Sequence, residues 1–405
     1  MMRVLHIALG LVSIQCFGQT EFVINNGTDV RINPGCQVIF AEGGIQNAAG
    51  EFSNAGEVVV EGNILNDGTL SGGTNSGIFR VLNDVENNGT MLPGQSLFEL
   101  YGDDQFLRGI NQLDFYSLTL TGGGIKYMQN HISTAGTLDL TDRELRAFGN
   151  VVKHTNANAG SVLAVHNEGF VSADVGGGLS RETDGSSEYF YPVGSTVNQF
   201  QIRPVSIAPQ GGQNRYKVRF VPGPTPNNTQ RGPEIFYVNP IYYHFVESTE
   251  GYSPGSLTVY YDEIEDGFFE TLAHVKNDFW RENLGTEEGP VLGSAPELVS
   301  FKTTSWNFIE PEIALAARAS ELFVPNIFSP NDDGQNDVFK PRGTEPFGYE
   351  LRIYDRWGNL VFTSTEIDEG WDGKFRDKPM NSGVFVYYIL SDDQVIDKGN
   401  VTLVR

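Results

Sequence analysis

The sequence has very little cysteine: of its 405 residues, only Cys16 and Cys36 carry a thiol. Cys16 falls in an N-terminal segment that we expect to be removed, so the mature chain can form no internal disulfide. A buried core or bound ions must therefore supply the stability that disulfides give many small domains. For Cys36 we favour a buried, inert thiol over a reactive one, because buried thiols are the commoner kind.

Positive charge is also scarce, since 27 Lys and Arg residues stand against 51 Asp and Glu. Nucleic acids require clustered cationic side chains, so we expect no nucleic-acid partner. The same deficit disfavours docking on a bare anionic bilayer. Long apolar runs are lacking after the first residues, and the sequence predicts no transmembrane segment.

The N-terminus has the pattern of a signal peptide. Arg3 provides the positive charge, and the segment Val4–Ile14 is mostly apolar. About a dozen residues are too few for a spanning helix, which needs roughly 20. Cleavage near Gln19 gives a predicted signal peptide of residues 1–19. Simple cleavage is favoured over lipidation of Cys16, because no small residue precedes that cysteine.

Residues 20–184 are predicted to form a repetitive, β-rich, solenoid-like region. The repeated unit is an apolar pair, Asn or a small residue, Gly, and then an alternating strand. It recurs in the segments Ile24–Thr28, Phe52–Glu57, Ile64–Leu70, Val85–Thr90 and Ser133–Leu138. Asn-Gly and Asp-Gly tolerate positive φ and mark tight turns. Irregular repeats of roughly 12 to 21 residues favour a stacked β-solenoid, with a sandwich of many hairpins as the alternative.

Four short motifs follow one another in an informative order. They are Phe115–Leu120, Gly136–Leu140, Gly177–Arg181 and Tyr189–Gly194. This order resembles the repetitive ectodomains of secreted Bacteroidetes proteins. The resemblance implies that the solenoid-like part ends at a strand that opens a second domain.

Residues 185–320 are predicted to form a β-sandwich domain plus a linker. Short strands separated by Pro-rich loops are typical of a sandwich. The predicted strands are Gln201–Ser206, Tyr216–Val221, Ile235–Val238, Ile241–Val246 and Leu257–Asp262. The Ala-rich segment Glu310–Ser320 is predicted to be a short helix or a linker.

The last part of the chain carries five motifs in order. They are Leu322–Phe339, Leu351–Phe362, Gly370–Gly373, Asn381–Tyr388 and Lys398–Arg405. Together they resemble the gliding-motility-associated C-terminal domain, the type B sorting domain of type IX secretion. The resemblance implies that residues 322–405 direct export across the outer membrane, that the type IX secretion machinery is a partner, and that the protein is extracellular or on the outer cell surface.

The same C-terminal residues predict an immunoglobulin-like β-sandwich. Leu351 and Ile353 alternate with polar or amphipathic neighbours, as in a half-buried strand. Trp357 and Trp371 each lie beside a glycine turn, so we expect both to pack in the core or at a corner.

The segment Asn331–Asp337 has the densest set of oxygen ligands in the chain. The candidate calcium ligands are Asp332, Asp333, Asn336 and Asp337. The segment is not an EF-hand, because the required glycine and closing glutamate are absent from their places. The alternative, slightly favoured, is a loop whose side chains cap backbone N–H groups. The second acidic run, Asp262–Gly267, is predicted to be a solvated turn.

The sequence contains no convincing catalytic motif. Gly251–Gly255 matches G-x-S-x-G around Ser253, but Pro254 lacks the N–H that an oxyanion hole takes from that position. The histidines show no metal-binding spacing, and neither a P-loop nor a dinucleotide-binding motif occurs.

The sequence therefore predicts a non-enzymatic surface protein, either adhesin-like or a structural ectodomain. Its expected ligand is an extracellular glycan or protein. The alternative is a secreted glycan-binding or glycan-processing protein. Scattered cationic residues in the solenoid-like region argue against a lyase; they are Arg31, Arg80, Arg108, Lys126, Arg143 and Arg146.

Overall fold

The structure is a computed structural model, and it confirms an all-β chain with 54% strand and 2% helix. It describes residues 4–7, 11–15, 22–73, 76–165, 168–197, 199–283, 286–287, 298–303, 306, 308–319, 322–331, 335–343, 345–346 and 348–405. The chain divides into two compact units, residues 1–230 with 238–316, and residues 231–237 with 317–405. The domain limits predicted from the sequence stay predictions.

The first unit begins with a β-solenoid of about seven turns, as the repeat predicts. Each turn has three short strands that pair in parallel with their equivalents in adjacent turns. The first face contains two successive parallel sheets. One has the strands Val4–Ile7, Asp29–Ile32, Glu51–Asn54, Thr69–Ser71 and Thr90–Leu92, and the other begins with Leu113–Phe115, Ile132–Thr134, Val151–His154 and Gly178–Thr183. The second contains Leu11–Gln15, Gln37–Ala41, Glu57–Val60, Ile78–Val81, Leu97–Leu100, Ser117–Leu120, Leu138–Asp139 and Val162–Leu163. The third contains Phe22–Asn26, Gly44–Ala49, Ile64–Asn66, Val85–Asn87, Gln105–Arg108, Lys126–Met128, Glu144–Arg146 and Phe170–Ser172.

A column of buried asparagines follows the third face. The Asn25 side-chain amide donates to Asn47 Oδ1 at 2.8 Å, Asn47 to Asn66 at 2.9 Å, and Asn66 to Asn87 at 2.8 Å. Asn47 also donates to the Thr69 carbonyl at 2.9 Å. Members of the column lie 19 to 22 residues apart, which is the length of one turn. Each satisfied bond contributes about 0.5–1.5 kcal/mol, and an unsatisfied buried amide would cost more.

The glycines that follow the asparagines of the column are required for two different reasons. Gly27 does adopt a positive φ of 91°, whereas Gly89 lies outside that region. A Cβ on Gly89 would lie 2.1 Å from the Gly68 carbonyl oxygen of the preceding turn. Glycine is therefore required at Gly89 because two turns of backbone approach each other closely.

Gly89→Ala is expected to lower the free energy of unfolding by about 1–3 kcal/mol, because the added methyl group displaces the adjoining turn. Gly149→Ala is the matched control, since its Cβ would meet no atom nearer than the Val175 carbonyl oxygen at 3.5 Å. That change is expected to stay within about 0.5 kcal/mol of the parent. Urea unfolding followed by circular dichroism measures both. Equal losses would contradict the close approach at Gly89.

Large apolar side chains fill the solenoid interior. The rings of Phe79 and Phe98 stack with centroids 4.4 Å apart, and Phe98 meets Phe115 edge-on at 5.0 Å. All three side chains are buried, and so is Cys36, as predicted. Burying an aromatic side chain of this kind contributes about 1.5–3 kcal/mol.

The strand Gly178–Thr183, called here the switching strand, joins the solenoid to the sandwich. One edge pairs in parallel with Val151–His154, and the other pairs antiparallel with Asn214–Pro222. The sheet continues through Tyr242–Glu250, Glu312–Arg318, Thr271–Lys276 and Phe279–Glu282. A second antiparallel sheet contains Tyr189–Tyr191, Val205–Pro209, Gly255–Tyr261, Val299–Lys302 and Thr286–Glu287. The remaining elements are the pair Gly194–Ser195 and Gln201–Ile202, the strand Ile235–Val238, the helix Glu263–Asp266 and the 3₁₀ turn Ala159–Ser161.

The prediction of a helix or linker at Glu310–Ser320 is wrong. Glu312–Arg318 is a strand that pairs with Tyr242–Glu250 on one side and Thr271–Lys276 on the other. Its residues from Ile313 to Ala317 are all buried. A strand that is covered on both faces is apolar throughout, so it has no alternation for the sequence to show. Pairing on both edges overrides the helix propensity of alanine.

The predicted signal peptide contributes two strands in the precursor. Val4–Ile7 pairs in parallel with Asp29–Ile32, and Leu11–Gln15 pairs with Gln37–Ala41. Cleavage near Gln19 would remove both strands and leave these two partners as the first edge of the solenoid. The cleavage itself stays a prediction.

Candidate functional site

The C-terminal module is built around a five-stranded sheet. Its strands, in spatial order, are Ile327–Phe328, Gln394–Leu403, Gly383–Ser391, Tyr349–Tyr354 and Leu360–Ser364. Two short pairs accompany it, Leu322–Phe323 with Arg342–Gly343, and Lys374–Phe375 with Lys378–Pro379. Leu351 and Ile353 are fully buried, which confirms the alternation predicted for their strand. The strands fit the predicted sandwich.

The two tryptophans of the module have opposite environments. Trp371 is fully buried, its ring centroid lies 4.7 Å from that of Phe385, and its Nε1 donates to the Lys374 carbonyl at 2.8 Å. Trp357 is 76% exposed, so the prediction that it packs in the core or at a corner is wrong. The Asp355 carboxylate accepts hydrogen bonds from its own turn, including the Trp357 N–H at 2.8 Å. The turn is therefore fixed by polar contacts and leaves the indole in solvent.

Two of the four predicted calcium ligands, Asp332 and Asp333, lie outside the described residues. Of the other two, Asp337 accepts a hydrogen bond from the Asn331 backbone N–H at 3.0 Å. The backbone carbonyl of Asn336 accepts from the Ser329 N–H at 2.9 Å. Within the described ranges, no three His, Cys, Asp or Glu side chains form a metal-binding group. The Asp337 contact is of the backbone-capping kind, and calcium at this loop stays a prediction.

Ser253 lies in the short connection between the strands Tyr242–Glu250 and Gly255–Tyr261. A nucleophile elbow requires a strand followed directly by a helix. The Ser253 backbone N–H donates to Asn214 Oδ1 at 3.0 Å, and its carbonyl accepts from the Tyr216 hydroxyl at 3.1 Å. These contacts fix a strand-to-strand loop, and they position no base beside the hydroxyl.

Two buried histidines are held by hydrogen bonds. The His154 ring contacts the Thr134 and Ser161 hydroxyls at 2.7 and 2.6 Å. Burial, assisted by the Arg181 charge, lowers the pKa of His154 to about 3. Burial likewise lowers the pKa of His244 to about 4. Both rings are therefore neutral at pH 7, which suits packing better than proton transfer. His166 lies outside the described residues.

A buried ion pair anchors the segment that was predicted to be a solvated turn. Arg203 donates through Nε and Nη2 to the Asp266 carboxylate at 2.5 and 2.8 Å. The Tyr242 hydroxyl donates to the same carboxylate at 2.7 Å. Asp266 ends the helix Glu263–Asp266, which Asp262 caps. The prediction is thus wrong for Asp266, because its partner Arg203 is distant in sequence.

The motifs Gly177–Arg181 and Tyr189–Gly194 meet where the solenoid ends. The Arg181 guanidinium lies over the rings of Tyr189 and Tyr191, 5.2 and 5.7 Å from their centroids. It also donates to the Phe190 carbonyl at 2.6 Å. This contact between a buried cation and two rings fixes the switching strand against the strand that opens the second sheet.

The comparisons with known proteins concern the C-terminal module. Residues 322–403 match the family model described as the CHU_C Type IX secretion signal domain. No curated protein and no solved structure matches the chain. The helices of the described residues include none with the length and apolarity to cross a membrane.

Proposed function

We propose, from the type IX secretion signal domain at residues 322–403, that this chain is a non-enzymatic binding protein displayed outside the cell. The domain implies interaction with the type IX secretion machinery, and export to the cell surface or the medium. The preceding residues then act as an adhesin-like ectodomain.

The observation that carries the proposal is the construction of the solenoid. Parallel backbone ladders connect successive turns, and the asparagine column links the turns that contain Asn25, Asn47, Asn66 and Asn87. The solenoid is therefore a stiff, extended surface suited to elongated partners. Several of its outer cations are paired with acids; they are Arg80, Arg108, Arg143 and Arg146. Arg80 lies 3.0 Å from Glu57 and 3.1 Å from Glu99. Such pairs stabilise a surface, whereas a lyase needs a base and a cation that are open to substrate.

The second candidate is a glycan-binding protein, favoured by a cleft beside Arg219. Glycan processing has less support, because the two histidines placed in the core are neutral and the contacts that Ser253 makes with other described residues include no base. Binding without turnover is therefore proposed for both candidates.

Cells that display the full chain are expected to attach to polysaccharide-coated or cell-coated surfaces several-fold more than cells that display only the signal peptide and residues 322–405. Plate attachment measures this, and a reducing-sugar assay of the medium measures turnover. Equal attachment would contradict the binding role. Accumulation of new reducing ends would show that the protein cleaves polysaccharide and is an enzyme.

A further inference from the structure

A cleft of about 440 Å³ opens where the last solenoid turn meets the sandwich strands. Its lining includes Arg146, Phe148, Asp174, Ser195, Val197 and Arg219. Ligand sites have volumes of about 300–1,000 Å³ and combine apolar walls with a few convergent polar groups. The cleft has both properties.

Arg219 is the unusual member of this lining. Its side chain belongs to a residue that is only 7% exposed, yet it makes no hydrogen bond or ion pair with any residue in the described part of the chain. Its guanidinium Cζ lies 5.1 Å from the centroid of the Phe245 ring. By contrast, buried Arg203 is paired with Asp266. None of the Arg219 nitrogen atoms is among the fully buried, unpaired side-chain atoms of the described residues, so the guanidinium reaches the solvent of the cleft with its N–H donors open to an anionic ligand.

The other charged groups restrict which anion fits. Arg146 is already occupied, because its Nε and Nη2 donate to Glu144 at 2.8 and 3.0 Å. Asp174 is exposed in the lining. Burial lowers the pKa of Arg219, whereas its electrostatic interactions with Tyr243, Asp174 and Glu312 raise it. A polyanion such as phosphate would be repelled by Asp174. A ligand with a single carboxylate and neighbouring hydroxyl groups would suit Arg219 and Asp174. Arg219 pairs with the carboxylate, and Asp174 accepts hydrogen bonds from the hydroxyl groups.

An aromatic ring forms another part of the wall. Phe148 is 39% exposed, and its ring stacks on Tyr127 with centroids 6.2 Å apart. Its φ of 51° is in the left-handed region, which a bulky residue rarely adopts. Backbone strain of this kind concentrates at ligand sites. An exposed ring next to hydroxyl-binding groups suits the apolar face of a sugar ring.

A glycan fits the cleft better than a peptide does. Peptides commonly bind by adding a strand to a free sheet edge. The strand Asn214–Pro222, which carries Arg219, is already paired with Gly178–Thr183 and Tyr242–Glu250. The backbone N–H and C=O groups of this strand are already hydrogen-bonded to its two neighbouring strands, so the cleft must recognise a ligand through side chains.

We infer that this cleft binds a uronic acid unit of an extracellular polysaccharide, with Arg219 pairing to the sugar carboxylate, Asp174 accepting from hydroxyls and Phe148 packing on the ring. This inference deepens the proposed binding function and rests on it. It assigns the substrate class to one cleft of the ectodomain.

The test is calorimetric titration of the full secreted chain with tetragalacturonate and with its carboxyl-reduced, neutral counterpart. Tetragalacturonate is expected to bind, and the neutral oligosaccharide at least about tenfold more weakly. Arg219→Gln is expected to weaken binding about 10- to 100-fold, as is typical of losing a hydrogen-bonded charge. Its melting temperature should stay close to that of the parent, because the change breaks no hydrogen bond or ion pair of the side chain with the described residues.

Two further variants separate a binding role from a structural one. Phe148→Gly relieves the backbone strain and removes the ring, so binding should weaken about 3- to 10-fold while the fold is kept. Arg215→Gln changes an arginine on the same strand that bridges Glu182 and Glu250, and it should leave binding unchanged. Its melting temperature shows whether the strand stays folded.

Failure of tetragalacturonate to bind, or binding that Arg219→Gln leaves intact, would overturn the inference. So would tight binding of an acidic peptide in place of the sugar. If cells still attach after any of these results, the proposed surface-binding function stands, and another part of the ectodomain is responsible for it. If tetragalacturonate fails to bind and the cells also fail to attach, both the uronic acid site and the proposed surface-binding function are contradicted.

Discussion

Asp266→Ala is expected to lower the free energy of unfolding of the first unit by about 3–5 kcal/mol. The change leaves the buried Arg203 guanidinium with only the half-exposed Glu265 carboxylate as a counter-ion, and the Tyr242 hydroxyl without its acceptor. Breaking one side of a buried ion pair has this effect because the remaining charge cannot be rehydrated. The measurement is urea-dependent hydrogen exchange of the strand Tyr242–Glu250 in the full chain.

Glu265→Ala is the matched control for Asp266→Ala. Glu265 contacts the same guanidinium at 2.9 Å, but its side chain is 51% exposed. Its loss is expected to cost no more than about 1 kcal/mol, as for other solvent-exposed pairs. Replacing both partners with apolar residues, as in Arg203→Met with Asp266→Leu, should recover most of the stability. Similar losses for Glu265→Ala and Asp266→Ala would show that burial of the pair is not the cause.

Trp371→Ala is expected to destabilise the C-terminal module by about 3–5 kcal/mol, the usual range for deleting a buried aromatic side chain. The ring fills the space between Phe328 and Phe385, with centroids at 5.3 and 4.7 Å. The surrounding sheet is fixed by backbone pairing, so the cavity cannot close fully. Hydrogen exchange of the strand Gly383–Ser391 reports on the module within the full chain.

Trp357→Ala is the control, because the same residue type is removed from an exposed turn of the same module. Its expected effect on stability is within about 0.5 kcal/mol. The turn itself is kept, since the Asp355 carboxylate still accepts from the Asn359 N–H at 2.9 Å. A loss for Trp357→Ala that equals the loss for Trp371→Ala would contradict the assignment of core and surface.

The solenoid could be predicted because its signal is local. Asn25, Asn66 and Asn87 each precede a turn marked by Asn-Gly or Asp-Gly, and these turns recur. Asn47 escaped notice because its turn continues as Ala48-Ala49-Gly50, although the side chain occupies the same column. The members of the column share a side-chain hydrogen bond to the next turn, whereas the sequence of the turn that follows them differs.

The parts that could not be predicted depend on residues distant in the chain. Asp266 resembles a solvated acid until Arg203 is placed beside it, and the two residues are 63 positions apart. Ala314 to Ala317 favour a helix until strands cover both edges. Arg219 alternates with its neighbours like any strand residue, and only the fold shows that its side chain lines the cleft and has no acceptor among the described residues. Local patterns therefore predicted the elements, whereas pairing between elements determined the sites.

Export of a chain that lacks residues 322–405 is the most direct test of the central claim. Cells producing the full chain and cells producing residues 1–321 are fractionated, and the surface, medium and periplasm are probed for the ectodomain. The truncated chain is expected to remain in the periplasm with its solenoid folded, as judged by protease resistance, while the full chain reaches the surface or medium. Normal arrival of the truncated chain at the surface or in the medium would contradict the account.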